Sequence, residues 1–172
     1  NLAQDEGFAP ALQNHLTASS YKVRVVNAGV SGETTAGGLA RLAFTLDGQA
    51  RKPDLVILGL GGNDMLRGLS PDQTRANLDA MLSELKKRNI PVVLTGMLAS
   101  ANMGPDFAAA FNTIYPALAK KHGAALYPFF LQGVAGDARL LLPDGIHPNP
   151  AGVQVVVKGI APLISAALAR DE

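Results

Sequence analysis

Apolar runs of strand length alternate with segments of helical spacing along this chain, and that alternation leaves few folds open to it. Gly7 to Ala18 sets Phe8, Ala11, Leu12 and Leu16 at helical spacing. Tyr21 to Val30 reads as a strand through Val23, Val25 and Val26, and a helix is predicted over Thr35 to Leu46. Asp54 to Leu60 is a continuous apolar run of the kind that fills a buried strand. Ser70-Pro71-Asp72-Gln73 then opens a helix, with Ser at the N-cap, Pro in the first turn and Gln completing a capping box. Leu78, Met81, Leu82 and Leu85 line one face of it, and Lys86-Lys87-Arg88 meet the negative end of its dipole. Ile90 to Met97 is predicted as a strand, Phe107 to His122 as a helix and Ala124 to Phe130 as a strand. A last helix runs from an Asn149-Pro150 cap almost to Glu172.

Repetition of this kind builds a parallel sheet with helices on both faces. The expected fold class is therefore α/β, a three-layer α/β/α, flavodoxin-like sheet in the order 2-1-3-4-5, forming one domain over residues 1–172. The chain, however, opens on a helix. The first strand of such a sheet is central, and without it two neighbours are left with unpaired backbone groups. A strand and turn of roughly 10–20 residues are accordingly expected ahead of Asn1.

Composition narrows the function. A hydrophobic share of 48% with 17% charged residues is that of a globular chain. Lys plus Arg number 15 against 14 acids, a net charge of +1 that offers no field to attract nucleic acid. There is no cysteine, hence no disulfide, no thiolate nucleophile and no Cys-ligated metal. No unbroken run reaches the roughly eighteen apolar residues of a membrane span.

The chemistry-bearing residues gather at Val30 to Thr34, Gly61 to Asp64, Leu98 to Pro105 and Asp144 to His147, all at the C-terminal ends of expected strands or on the loops beyond. Open α/β sheets bind ligands there. An Asp three residues before a His on a loop sets a carboxylate against one ring nitrogen and leaves the other free, which is two thirds of a Ser-His-Asp triad. The plainer reading of Asp144-Gly145-Ile146-His147, an Asp-Gly turn entering an Asn-capped helix, accounts for Asp144, Gly145, Asn149 and Pro150 but gives His147 no purpose. In Gly61-Gly62-Asn63-Asp64 the glycines let the backbone approach a ligand and the Asn63 amide can face a developing oxyanion. A Gly-rich turn with an Asx cap fits the same residues. Asp64 stands where a dinucleotide fingerprint needs Gly, so nucleotide binding is not expected. The Gly32 backbone N–H offers a second oxyanion donor, or Gly32 merely turns a strand into a helix; Ser31 beside it carries no signature of a nucleophile. His15 and His122 fall within or at the end of helices, as solvated or capping residues, and no metal or other cofactor is expected.

Taken in order, SGET, GGND and DGIH resemble the blocks of the SGNH (GDSL-type) hydrolases, and within them the arylesterase, acyl-CoA thioesterase and lysophospholipase group. The similarity runs through NAGVSGET, LGLGGNDMLRGL, LASANMG, IYPALAKKHG, YPFF and DGIHPN. It implies Gly32 and Asn63 as oxyanion-hole members and Asp144 and His147 as the catalytic dyad. Met65 and Leu66 of the Met65 to Gly68 loop, with Ala99 and Ser100 of the Ala99 to Gly104 segment, become substrate-binding residues. The family's Gly-Asp-Ser-Leu block, with the nucleophilic Ser, has no counterpart here and is expected upstream of Asn1. The resemblance further implies a serine hydrolase for esters or thioesters of short-to-medium acyl chains, working without cofactor or metal on a small-molecule substrate. No nucleic acid and no stable membrane insertion are expected. A periplasmic or secreted location follows from the resemblance alone, with a cytoplasmic one left open. Two alternatives remain at this point: a carbohydrate or cell-wall acetylesterase, and a non-catalytic binding module that has lost its nucleophile. Apolar Met65, Leu66, Leu98 and Met103, with no Trp for sugar stacking, favour acyl chains.

Overall fold

Strand and helix alternate in the computed structural model, which describes residue 3 and residues 5–169. In chain order the elements are α1 (Phe8–Ala18), α2 (Thr35–Asp47), β1 (Val56–Leu58), α3 (Gly62–Leu66), α4 (Pro71–Lys87), β2 (Val92–Thr95), a 3-10 turn (Ala101–Met103), α5 (Pro105–Asn112), α6 (Ile114–His122), β3 (Ala125–Tyr127) and α7 (Pro150–Leu168). The chain packs as two compact units, one of residues up to Gly29 with Leu131–Ala166, the other of Val30–Phe130 with the chain from Ala167.

The second unit holds the sheet. Its three strands run parallel in the order β1-β2-β3, with Leu58 opposite Leu94 and Leu94 opposite Leu126. Val93 and Leu94 point to opposite faces of β2, and neither is exposed, as in a strand covered on both sides. α4 packs against α2, α5 and α6, and α6 against β2 and β3. The stripe Leu78, Met81, Leu82 and Leu85 is wholly buried, at the helical spacing read from the sequence. Ser70 occupies the N-cap of α4 and Pro71 its first turn, but no capping box forms. The Ser70 side chain caps nothing, and Gln73 donates along the helix to Asn77 Oδ1 at 3.1 Å rather than back to the N-cap. Two helices, α5 and α6, replace the single one expected over Phe107 to His122. Pro116 lacks an N–H and its ring crowds the carbonyl of Asn112, so the helix ends at Asn112 and restarts after Thr113.

In the first unit α1 buries Ala11, Leu12 and Leu16, and α7 buries a stripe that includes Val153, Val156, Val157, Ile160 and Ile164. By length and composition alone α7 could cross a membrane, but a single buried stripe is the pattern of a core helix. The strand expected over Tyr21 to Val30 does not form. A strand needs a partner ladder, and among the described residues none pairs with this segment. The Gln13 side chain takes the place of one locally, donating to the Val23 carbonyl (3.0 Å) and accepting from the Val25 N–H (2.7 Å). Val26 is left half exposed. The sheet of the described residues is thus three strands of the five expected.

Candidate active site

One group of candidate residues grows from the C-terminal end of β1. The chain leaves the strand through Gly59-Leu60-Gly61, and Gly61 has φ of +111°, a conformation closed to most L residues. A Cβ there would lie 2.0 Å from the Tyr115 hydroxyl, which donates to the Leu60 carbonyl at 2.8 Å. Gly61→Ala should therefore cost about 1–3 kcal/mol of stability, from strain and from displacing Tyr115. A shift of the urea midpoint to lower concentration at constant slope would show it; an unshifted midpoint would contradict the close packing. The turn delivers Asn63 on α3, whose Nδ2 donates to the Glu33 carbonyl at 3.1 Å. One amide hydrogen is thereby fixed and the other left available.

Gly32 lies on the facing segment, third in a turn closed by the Glu33 N–H on the Val30 carbonyl (3.3 Å). Its φ of +75° after a Ser31 of negative φ makes this a type II turn, which demands a glycine-like residue at that position. Among the described residues the Gly32 N–H meets no acceptor. Asp64, 1% exposed, ties the two segments: its carboxyl oxygens accept from the Thr35 N–H (2.8 Å), the Thr35 hydroxyl and the Thr74 hydroxyl (3.2 Å). Asn77 Nδ2 donates in turn to the Thr35 hydroxyl at 3.0 Å. Glu33 is gripped bidentately by Arg41 at 2.7 and 2.6 Å, and those bonds hold its carboxyl below the usual carboxylate range. A cavity of about 190 Å³ opens here, lined by Val30, Gly61, Asn63, Thr95, Met97 and Phe130 among others. It sits at the C-terminal ends of the strands, where parallel sheets place their ligands.

A second group of candidate residues lies on a loop of the first unit. Residues 140–142 and 147–149 are clasped by Leu142 N–H on the His147 carbonyl (2.7 Å), Asn149 N–H on the Leu140 carbonyl (2.9 Å) and the Leu141–Pro148 bridge. Asn149 works in two directions. Its Nδ2 donates to the Arg139 carbonyl at 2.8 Å, and its Oδ1 accepts from the Gly152 N–H at 3.0 Å, capping α7. At the tip, Asp144 Oδ1 accepts from the backbone N–H groups of Ile146 (2.9 Å) and His147 (3.0 Å), and Oδ2 meets His147 Nδ1 at 2.7 Å. The two backbone donors, then the imidazole, hold the Asp144 carboxyl well below the usual carboxylate range. An ionised carboxylate only accepts, so Nδ1 is the donor, and in a neutral ring the lone pair lies on Nε2. No described residue bonds to Nε2.

The GDSL-like lipase/acylhydrolase family model matches residues 3–155. This chain belongs to that family. It is 40% identical over 167 residues to the esterase TesA of Pseudomonas aeruginosa, a match covering 97% of this chain and 82% of that protein. It is 39% identical over 160 residues to a thioesterase 1/protease 1/lysophospholipase L1 of Escherichia coli, covering 91% of this chain and 75% of that one. A crystal structure of TesA superimposes with a TM-score of 0.90 over 97% of this chain and 92% of that chain, at 40% identity.

Against the family's blocks, Gly32 and Asn63 lie together in one unit, and Asp144 and His147 are bonded to each other in the other. Of the four expected substrate-binding residues, Leu66 is the exposed apolar one, at 48%, and Leu69 and Leu98 are similarly exposed. Met65 is instead 5% exposed and part of the core, its sulfur accepting from the Ser100 N–H at 3.3 Å. Ala99 is half-buried, and its N–H donates to Asn112 Oδ1 at 2.7 Å. His122 is not a solvated helix end. Its side chain is 8% exposed and Nε2 bonds Asp79, which also pairs with Lys121 at 2.7 Å, because the end of α6 packs beside α4. Sequence reasoning named Asp64 without its buried partners and passed over Thr35, Thr74 and Asn77. The available signal was Thr74 and Asn77 falling on the buried stripe of α4, since polar residues in such places have partners.

The low-lying Asp144 has a consequence for pH dependence. A carboxyl lowered by folding contributes its stabilisation above the ordinary carboxylate range and loses it only as pH falls through the lowered value. The Asp144 carboxyl should then stay ionised to pH values well below the usual carboxylate range. A ¹³C NMR titration that finds the Asp144 side-chain carboxyl protonating in the usual carboxylate range is the result that would remove it as a permanently ionised partner.

Proposed function

We propose that this family member hydrolyses carboxylic esters or thioesters of short-to-medium acyl chains through an acyl-enzyme. The observation that carries the reading is the 2.7 Å Asp144–His147 pair, with Nδ1 spent on the carboxylate and Nε2 unengaged. In the proposed reaction a serine hydroxyl attacks the carbonyl carbon and passes its proton to His147 Nε2. The tetrahedral oxygen accepts from the Gly32 N–H and the Asn63 amide, each worth about 2.7–4 kcal/mol of barrier. Collapse expels the alcohol or thiol, protonated by His147, and the same imidazole then activates water to release the acid. The nucleophile belongs, on this reading, to a segment upstream of Asn1. Leu66, Leu69 and Leu98, exposed at 48%, 40% and 45%, offer apolar surface to an acyl chain. A periplasmic or secreted location accompanies the reading and is open to a fractionation test.

The experiment is fluorophosphonate labelling of the protein with its upstream segment, followed by peptide mapping and assay on p-nitrophenyl esters and acyl thioesters. An adduct on a serine N-terminal to Asn1, with loss of turnover, is expected. An adduct on Ser31 would relocate the nucleophile. No adduct on a folded sample would favour a binding module.

A further inference from the structure

Glycine is the least restrained residue in a chain, so an oxyanion donor carried on a glycine backbone has to be held by its neighbours. Within its own segment Gly32 is bounded by the Val30–Glu33 turn. The second hold comes from 35 residues away. Arg67 Nη2 donates to the Gly32 carbonyl at 2.8 Å. The same nitrogen lies 3.9 Å from the place a Gly32 Cβ would occupy, over the face that a side chain would otherwise cover.

Arg41, Arg51, Arg88 and Arg139 pair with carboxylates and Arg75 bonds the Thr113 hydroxyl, whereas Arg67, without an ion pair among the described residues, bonds a backbone carbonyl. A charged donor on a carbonyl is a stronger tie than a neutral one. Its placement is also specific. Arg67 closes α3 four residues after Asn63, and residues so spaced share one face of a helix. From that face Asn63 grips the Glu33 carbonyl and Arg67 the adjacent Gly32 carbonyl. One short helix thus carries one oxyanion donor and holds the other.

We infer that Arg67 is a positioning residue of the oxyanion hole, fixing the Gly32 peptide so that its N–H and the Asn63 amide keep a set spacing. The catalytic consequence rests on the hydrolase reading above; the geometric one does not, and the test separates them. Arg67 is exposed, so Arg67→Ala and Arg67→Lys should keep thermal midpoints within about 2 °C of the parent. In protein labelled with ¹⁵N-glycine, the Gly32 amide resonance, identified by its loss in Gly32→Ala, is expected to shift in Arg67→Ala and to return part of the way in Arg67→Lys. On a neutral p-nitrophenyl ester, kcat should fall about tenfold in Arg67→Ala with KM within twofold, less than the loss of a donor itself. An unmoved Gly32 resonance overturns the inference. So does an unchanged kcat with a raised KM, which would make Arg67 a substrate-binding residue. If the resonance moves but the parent protein hydrolyses no ester, the positioning stands and the hydrolase reading falls.

Discussion

Replacing His147 with Ala is expected to abolish nearly all turnover, a loss of about 10⁴–10⁶-fold in kcat, while the fold persists. The size follows from the role proposed for Nε2, which takes the serine proton in one step and returns it to the leaving group in the same half-reaction. The His147 side chain is 65% exposed, so its removal opens no core cavity. Asp144 keeps two backbone N–H donors, at 2.9 and 3.0 Å, when the imidazole is gone. Circular dichroism melting alongside an ester assay reads both sides of the claim. Parent-like kcat in a folded variant would end the dyad assignment, whatever the family resemblance.

Asn63→Ala carries the next largest expected effect, a fall of about 10²–10³ in kcat with little change in KM, because the donor it removes is proposed to act on the oxyanion and not on the ground-state carbonyl. The change also removes the bond to the Glu33 carbonyl, a loss of about 1 kcal/mol. That stability loss and the rate loss are separable, since a variant folded at assay temperature has already absorbed the first. Steady-state kinetics on one ester, with a denaturant titration in parallel, decides the matter. Unchanged kcat takes Asn63 out of the oxyanion hole.

Both predictions rest on residues that were legible before any coordinates. Asp144 and His147 are three residues apart, and such a separation on a tight loop is enough for a side chain to reach a side chain. Asn149 announced itself in the same way, as the cap of α7 three residues before Gly152. The helix faces of α1 and α4 were equally plain, since a 3.6-residue period needs only one segment to declare itself. Even the break between α5 and α6 was present locally, in Pro116, though the continuous apolar spacing around it outweighed the proline in a one-dimensional reading.

What stayed hidden was long-range. Tyr21 to Val30 has every local mark of a strand, yet a strand exists only through its neighbour, and the described residues supply Gln13 in its place. Met65 and Leu66 are adjacent apolar residues with nothing in the sequence to separate them; one turns into the core and the other stays 48% exposed, because α3 presents them to different surroundings. Asp64 finds partners 29 and 10 residues away, and Arg67 finds Gly32 at a distance of 35.

By itself, then, the sequence determined the buried faces of α1 and α4, the family blocks and the Asp144–His147 pair, all set by periodicity or by contacts a few residues long. Only the tertiary structure decided which strands have partners, which apolar side chains are buried and what holds Gly32 in place. Those outcomes depend on segments brought together by packing, and no local spacing encodes them.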